Sequence, residues 1–132
     1  HCDTERIVIA LLRERGVKFH VVDLPPRELL SVYGQMDFVV CQMLHSSILA
    51  TNAGVPSINI GYDQKNVSFY ELMGLPEFCL PHDQLTQEGL WKMLADLIHR
   101  KSEIAAQLAH RKAELRAAMG AFVDETALML NR

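Results

Sequence analysis

The chain has 132 residues, of which 49% are hydrophobic and 22% are charged, and its formal net charge is -3. This length and composition predict a single domain over residues 1–132 and exclude a disordered, collagenous or low-complexity chain. No apolar run approaches the roughly 18 residues that a membrane span needs. The slightly negative charge gives no broad electrostatic reason to bind nucleic acid. Any anionic ligand must therefore be held by a local group of residues.

The first half of the chain predicts alternating helices and strands. A helical pattern over residues 3–15 stops at Gly16, and the apolar run over residues 17–24 predicts a strand. Pro25-Pro26 favours a helix start, so residues 27–33 are predicted to form a helix that ends at Gly34. A strand, a helix and a strand are then predicted over residues 37–44, 46–53 and 55–62.

The second half changes to helical periodicity. A helix over residues 66–73 and a short strand over residues 76–80 come first, and residues 86–132 then predict a long C-terminal helical segment, as one helix or two. Helices that alternate with strands through short connections indicate βαβ units. The predicted fold is therefore α/β, with a Rossmann-like parallel sheet and helices on both faces.

Three cysteines, Cys2, Cys41 and Cys79, are far apart in the chain. An odd number cannot all pair with one another, so reduced thiols in a cytoplasmic protein are expected. Cys41 and Cys79 stand in apolar runs, where a cysteine is more often a small hydrophobic residue than a nucleophile. No spacing of His, Cys or carboxylate residues is typical of a metal site, so no metal is predicted.

Ligands of parallel α/β sheets bind at the carboxyl ends of the strands, which directs attention to the loops there. His45 follows the predicted strand 37–44, and Ser46 and Ser47 are expected to cap the next helix. An imidazole beside a helix N-terminus suits an acid, a base or an anion contact, although a purely capping histidine is an equal alternative. Lys65 follows the next strand and offers a charge for phosphate or carboxylate, or else it pairs with Asp63.

Residues 37–75 resemble the carboxyl-terminal region of the polysaccharide pyruvyl transferase family. The matching elements are Asp37, Leu44-His45-Ser46, Gly54-Val55-Pro56, Tyr62, Lys65, Phe69 and Met73-Gly74-Leu75. The resemblance implies a two-domain fold similar to the GT-B glycosyltransferases, with the active site between two Rossmann-like halves. This chain would then be the C-terminal half of a longer protein, active only together with an N-terminal domain.

Members of that family transfer pyruvate from phosphoenolpyruvate to a sugar as a ketal during surface polysaccharide (exopolysaccharide) synthesis. The resemblance implies a catalytic role for His45 and substrate-binding roles for Ser46, Ser47, Tyr62 and Lys65. The expected partners are phosphoenolpyruvate as donor substrate, a saccharide acceptor and the N-terminal domain of the same chain, with no other cofactor. A homo-oligomer and a peripheral position on the membrane are further expectations that the sequence leaves open.

Met43 departs from the family pattern, because the family has an arginine two residues before the motif histidine. A thioether cannot hold a phosphate or carboxylate through two parallel hydrogen bonds as a guanidinium does. Two alternatives to a pyruvyltransferase therefore stay open. One is the nucleotide-sugar-binding half of a GT-B glycosyltransferase, and the other is a catalytically degenerate scaffold domain.

Overall fold

The computed structural model describes residues 2–130 and shows an α/β fold over them. The helices and strands in this range are α1 (Cys2–Glu14), α2 (Pro26–Tyr33), β1 (Val39–Cys41), α3 (Leu44–Ala53), β2 (Ser57–Gly61), α4 (Gln64–Leu72), β3 (Cys79–Pro81), α5 (Gln87–His99) and α6 (Lys101–Leu130). Short 3₁₀ turns at Pro76–Phe78 and His82–Gln84 flank β3. The prediction of an α/β fold is confirmed.

A small open sheet of three parallel strands, in the order β1-β2-β3, forms the centre of the fold. Cys41 of β1 is paired with Asn59 of β2, which is paired in turn with Cys79 of β3. Helices α3 and α4 provide the crossover connections that neighbouring parallel strands require. Because the strands run in one direction, their carboxyl ends share one edge of the sheet.

The central strand β2 is buried on both faces. Ser57 and Asn59 point to one face, where they form hydrogen bonds with side chains of α3 and α4. Ile58 points to the opposite face, since successive side chains of a strand alternate. It belongs to the same core cluster as Leu97 of α5, and α5 contacts β2. Helices therefore lie on both faces of the sheet, as predicted.

Arg100 marks the boundary between α5 and α6, so the C-terminal helical segment is two helices rather than one. Its guanidinium forms ion pairs with Glu77, Asp96 and Glu103 at 3.1, 3.2 and 2.9 Å. The same group lies 5.6 Å from the centre of the Phe78 ring. These contacts join the helical segment to the 3₁₀ turn that leads into β3.

Only the first half of α6 packs on the rest of the fold. Ile104 and Leu108 are buried in the core cluster. Gln107, Arg111 and Lys112 donate hydrogen bonds to the carbonyl oxygens of Gly74, Leu72 and Asn52 at 2.6, 2.6 and 2.8 Å. Large apolar side chains farther along α6 are exposed, namely Met119, Phe122, Val123, Leu128, Met129 and Leu130.

The strand predicted over residues 17–24 is wrong, because this segment is irregular between α1 and α2. Val22 lines a groove together with Val39 and Val40, so the segment lies beside β1 without pairing with it. β-branched residues favour a strand only where cross-strand neighbours pack against them. Val21 is instead 67% exposed, and β1 offers an edge of only three residues.

Several predicted boundaries also change. The strand predicted over residues 37–44 shortens to Val39–Cys41, because α3 begins at Leu44 rather than at Ser46. The strand predicted over residues 76–80 moves to Cys79–Pro81, because Pro76–Phe78 form a 3₁₀ turn. None of the helices within residues 2–130 combines the length and the apolar character needed to cross a bilayer.

We predict that Leu108→Ala lowers the free energy of unfolding by about 2–5 kcal/mol, because it leaves a cavity in the core. The matched control is Met119→Ala on the same helix, where the side chain is 63% exposed and the expected change is below about 0.5 kcal/mol. Urea unfolding followed by circular dichroism measures both. Equal effects of the two substitutions would show that α6 does not pack as described.

Candidate functional site

Two equivalent strand-to-helix connections lie at the carboxyl edge of the sheet. Gln42 and Met43 connect β1 to α3, and Tyr62 and Asp63 connect β2 to α4. His45 and Lys65 each occupy the second residue of the helix that follows. Parallel neighbouring strands therefore bring the first turns of α3 and α4, and with them His45 and Lys65, to the same edge of the sheet.

His45 and Lys65 are both exposed at this edge. The Asp63 carboxylate accepts a hydrogen bond from the Asn66 backbone N–H at 3.2 Å and so caps α4. No ion pair between Lys65 and Asp63 forms within the described part of the chain. Asp63 therefore caps α4 instead of forming the ion pair with Lys65 that the sequence allowed. The Lys65 side chain is exposed to solvent.

Ser46 and Ser47 do not cap α3, contrary to expectation. The N-cap residue is Met43, whose side chain makes no capping hydrogen bond, and its carbonyl oxygen accepts from the N–H groups of both serines. The helix begins two residues earlier than predicted, which moves the serines into its first turn. The N–H groups of Leu44 and His45 have no acceptor within the helix, and the helix dipole favours anions beside them.

In addition to Lys65, three residues were predicted to bind substrate, and they differ in how far they are exposed. Tyr62 is 53% exposed and Ser46 is half-buried, so both reach the edge of the sheet. Ser47 is fully buried, and its hydroxyl accepts hydrogen bonds from Asn59 Nδ2 at 2.9 Å and from the Tyr70 hydroxyl at 3.3 Å. Through these hydrogen bonds Ser47 holds the first turn of α3 against β2 and α4.

A buried polar network lies under the two connections, between the sheet and helices α3 and α4. Its side chains are Cys41, Ser47, Ser57, Asn59, Asn66 and Tyr70. Asn66 Nδ2 donates to Asn59 Oδ1 at 2.6 Å and to the carbonyl oxygen of Gln42 at 3.1 Å. The network therefore connects both loops of the site to the central strand.

Sequence reasoning did not identify Asn59 or Asn66. A usable signal was present, because Ser57 and Asn59 alternate with isoleucines in the strand sequence SINIG. Polar residues on one face of an otherwise buried strand need buried hydrogen-bond partners. Asn66 stands three residues after the capping Asp63, at the position whose backbone N–H commonly donates to the N-cap side chain.

Burial shifts the ionisation of two groups in and beside this network. Burial raises the pKa of the Tyr70 hydroxyl well above its usual range, so the group stays protonated and can donate to Ser47. Burial also raises the pKa of the Cys79 thiol, and the charge of the Cys41 thiolate raises it further, to a smaller extent. A protonated, half-buried thiol is a poor nucleophile, which agrees with a packing role for Cys79.

Met43 is 52% exposed at the N-cap of α3, beside His45. No positive side chain therefore stands at the position where the family pattern has its arginine. Among residues 2–130 no group of three or more His, Cys, Asp or Glu side chains is arranged to hold a metal ion. Lys65, His45 and the free N–H groups of the helix starts are the groups of this edge that suit an anion.

The fold and this edge define the class of protein: a parallel α/β domain with a polar site at the strand ends. In a comparison with protein families, the model of the polysaccharide pyruvyl transferase family matches residues 3–64. The match confirms the resemblance to this family of transferases. It includes Met43, His45 and Tyr62 and ends one residue before Lys65. No curated protein and no solved structure matches the chain.

Gly61, at the end of β2, provides a test of the packing beneath the site. A Cβ atom there would lie 3.1 Å from Cys79 Sγ and 3.2 Å from Asn66 Cβ. We predict that Gly61→Ala costs about 1–3 kcal/mol of stability through overpacking. Gly120→Ala is the control, because nothing lies within 4 Å of its Cβ position and alanine favours a helix by up to about 1 kcal/mol. Thermal unfolding should move in opposite directions for the two variants.

Proposed function

We propose that this chain is a polysaccharide pyruvyltransferase-like domain that transfers pyruvate from phosphoenolpyruvate to a sugar as a ketal in surface polysaccharide biosynthesis. The observation that carries the proposal is the placement of His45 and Lys65: each is the second residue of its helix, and both helices start at the same edge of the sheet. The family match over residues 3–64 supports it, because it includes the start of α3 with His45.

The reaction has three requirements. One proton must be added to the methylene carbon of phosphoenolpyruvate, which becomes the methyl group of the product. Two sugar hydroxyls must lose their protons as their oxygens bond to the neighbouring carbon, from which the bond to phosphate breaks. The phosphate leaves with the second of these protons, so a diol and phosphoenolpyruvate give a ketal and inorganic phosphate. Because the donor itself carries the activated group, the proposal needs no cofactor.

The residues at the edge of the sheet suit these requirements. The imidazole of His45 is a side chain that commonly serves as an acid or a base, and its exposure leaves it accessible to substrate. Lys65 and the N–H groups at the start of α3, which has no side-chain cap, can hold the phosphate and carboxylate. Tyr62 and Ser46 offer hydroxyls for further substrate contacts, and Ser47 is assigned to the site through its support of α3.

The proposal includes partners that lie beyond residues 2–130. We expect the open three-stranded sheet, with its site on one edge, to form one wall of a cleft, and an N-terminal domain of the same chain to form the other. A homo-oligomer is compatible with the exposed apolar side chains of α6. A cytoplasmic location fits Cys41 and Cys79, which are both free thiols. Attachment to the membrane surface is compatible with work on a polysaccharide precursor.

Two other functions share this geometry. A nucleotide-sugar diphosphate would also suit helix N-termini beside a lysine, and a degenerate scaffold would retain the fold without a ligand. Titration calorimetry with phosphoenolpyruvate and with nucleoside diphosphates separates the three possibilities. Binding of phosphoenolpyruvate alone supports the proposal, whereas binding of the nucleotide alone, or of neither ligand, contradicts it.

We predict that His45→Ala lowers the rate of phosphate release from phosphoenolpyruvate and a sugar acceptor by about 100-fold, the usual effect of removing an acid or base. The assay uses the intact natural protein. His110→Ala is the matched control, because His110 is an exposed histidine on α6 that pairs only with Glu114. Unchanged turnover of the His45 variant would remove this residue from the mechanism.

We also predict that Met43→Arg tightens the binding of phosphoenolpyruvate by about tenfold or more, because a charge-assisted hydrogen bond is worth about 1.5–3 kcal/mol. The exposed N-cap position accepts a guanidinium without burying its charge. Met43→Leu controls for the loss of the thioether and should leave the dissociation constant unchanged. The same constant for wild type and Met43→Arg would show that the anion does not approach the start of α3.

A further inference from the structure

Asn66 joins the two loops of the candidate site. Its side-chain Nδ2 donates to the carbonyl oxygen of Gln42, three residues before His45, at 3.1 Å. Its own backbone N–H donates to the Asp63 carboxylate, two residues before Lys65, at 3.2 Å. We infer that Asn66 is a positioning residue that holds the start of α3 at a fixed distance from the start of α4. This inference rests on the proposed function for its catalytic consequence.

The Asn66 side chain is held in one orientation. Both groups that face its Nδ2 atom are acceptors, the Gln42 carbonyl oxygen and Asn59 Oδ1. A rotation of the amide by 180° would place an oxygen against two oxygens and lose both hydrogen bonds. Since Asn66 is fully buried, water cannot replace these contacts. The Asn66 amide therefore links the two loops directly, beyond the pairing of the strands that precede them.

A second chain of contacts reaches α3 through the sheet. Asn59 accepts from Asn66 and donates through its own Nδ2 to Ser47 Oγ at 2.9 Å. Ser47 lies two residues after His45 in the first turn of α3. Asn66 thus holds the turn that contains His45 at two points. It contacts Gln42, which precedes His45 in the sequence, directly, and it reaches Ser47, which follows His45, through Asn59.

The position of Asn66 carries an energetic cost. The Oδ1 atom of Asn66 is buried and has no hydrogen-bond donor among residues 2–130. A buried acceptor without a partner costs about 1–3 kcal/mol. An apolar residue would avoid that cost but could not donate to the Gln42 carbonyl. The two hydrogen bonds that Asn66 donates explain why an amide stands here, because they hold the Gln42 carbonyl and the Asn59 side chain in place.

Ser57 offers a matched comparison within the same network. Its hydroxyl is 2.6 Å from the Tyr70 hydroxyl, and Ser57 is also buried on the face of β2 that contacts α4. It lies at the opposite end of β2 from the two loops and forms no hydrogen bond with either. Ser57→Ala therefore disturbs the network without releasing the connection between the loops.

The experiment compares Asn66→Ala with Ser57→Ala in the intact natural protein, at a temperature where both are folded by circular dichroism. We expect Asn66→Ala to lower kcat for pyruvyl transfer by at least tenfold and to speed hydrogen exchange of the Ser46 and Ser47 amides, which donate to the Met43 carbonyl oxygen in the first turn of α3, by a similar factor. Ser57→Ala should change kcat by less than about twofold and leave that exchange unchanged. Asn66→Ser, which keeps one donor, is measured in the same way and replaces Asn66→Ala where the latter is unfolded.

Unchanged exchange of the Ser46 and Ser47 amides in the Asn66 variants, or equal losses of kcat in the Asn66 and Ser57 variants, would overturn the inference. Absence of pyruvyl transfer by the wild-type protein would instead overturn the proposed function. Hydrogen exchange then still decides the structural statement. Faster exchange limited to the first turn of α3, at the Ser46 and Ser47 amides, supports the link made by Asn66, and unchanged exchange rejects it.

Discussion

The hydrogen bond between the Asn66 and Asn59 side chains, 2.6 Å long and fully buried, is the interaction on which the arrangement of the strand ends depends. Two amides inside an apolar α/β core are tolerated only where their polar atoms meet specific partners. A shift of β2 by one residue would turn Asn59 to the opposite face and replace it with an isoleucine. The polar pair thus favours one register of the sheet and one position of α4 upon it.

The same constraint explains which parts of the fold could be predicted from the sequence. Helices α2 to α6 and strand β2 follow from local periodicity and from stops such as Gly54, which has a φ of 75° that favours glycine. The segment 17–24 has an equally strong local pattern but is irregular, because a strand also depends on a neighbour that is distant in sequence. Local pattern was sufficient for helices and insufficient for a strand at the sheet edge.

The candidate site divides in the same way. His45 and Lys65 could be identified because parallel topology brings strand-end loops to one edge, whatever their side chains contact. The roles of Asn59 and Asn66 could not, because they depend on pairs separated by 7 to 24 residues whose distances no periodicity encodes. The start of α3 was misplaced for a related reason. Serines are good caps, but here the chain turns into the helix two residues earlier, after a β1 that ends at Cys41.

Met43 bears on how complete this edge is as an anion site. A helix N-terminus stabilises an adjacent anion by about 0.3–1 kcal/mol when exposed, whereas a charge-assisted hydrogen bond contributes about 1.5–3 kcal/mol. Two helix starts therefore do not replace one guanidinium, and Lys65 supplies a single charge for a donor that carries both a phosphate and a carboxylate. On the proposed function, the second cation must come from the facing wall of the cleft. On the same function, His45 and Lys65 are the part of the anion site that this edge of the sheet provides, and Asn66 holds the start of α3 in place beside the start of α4.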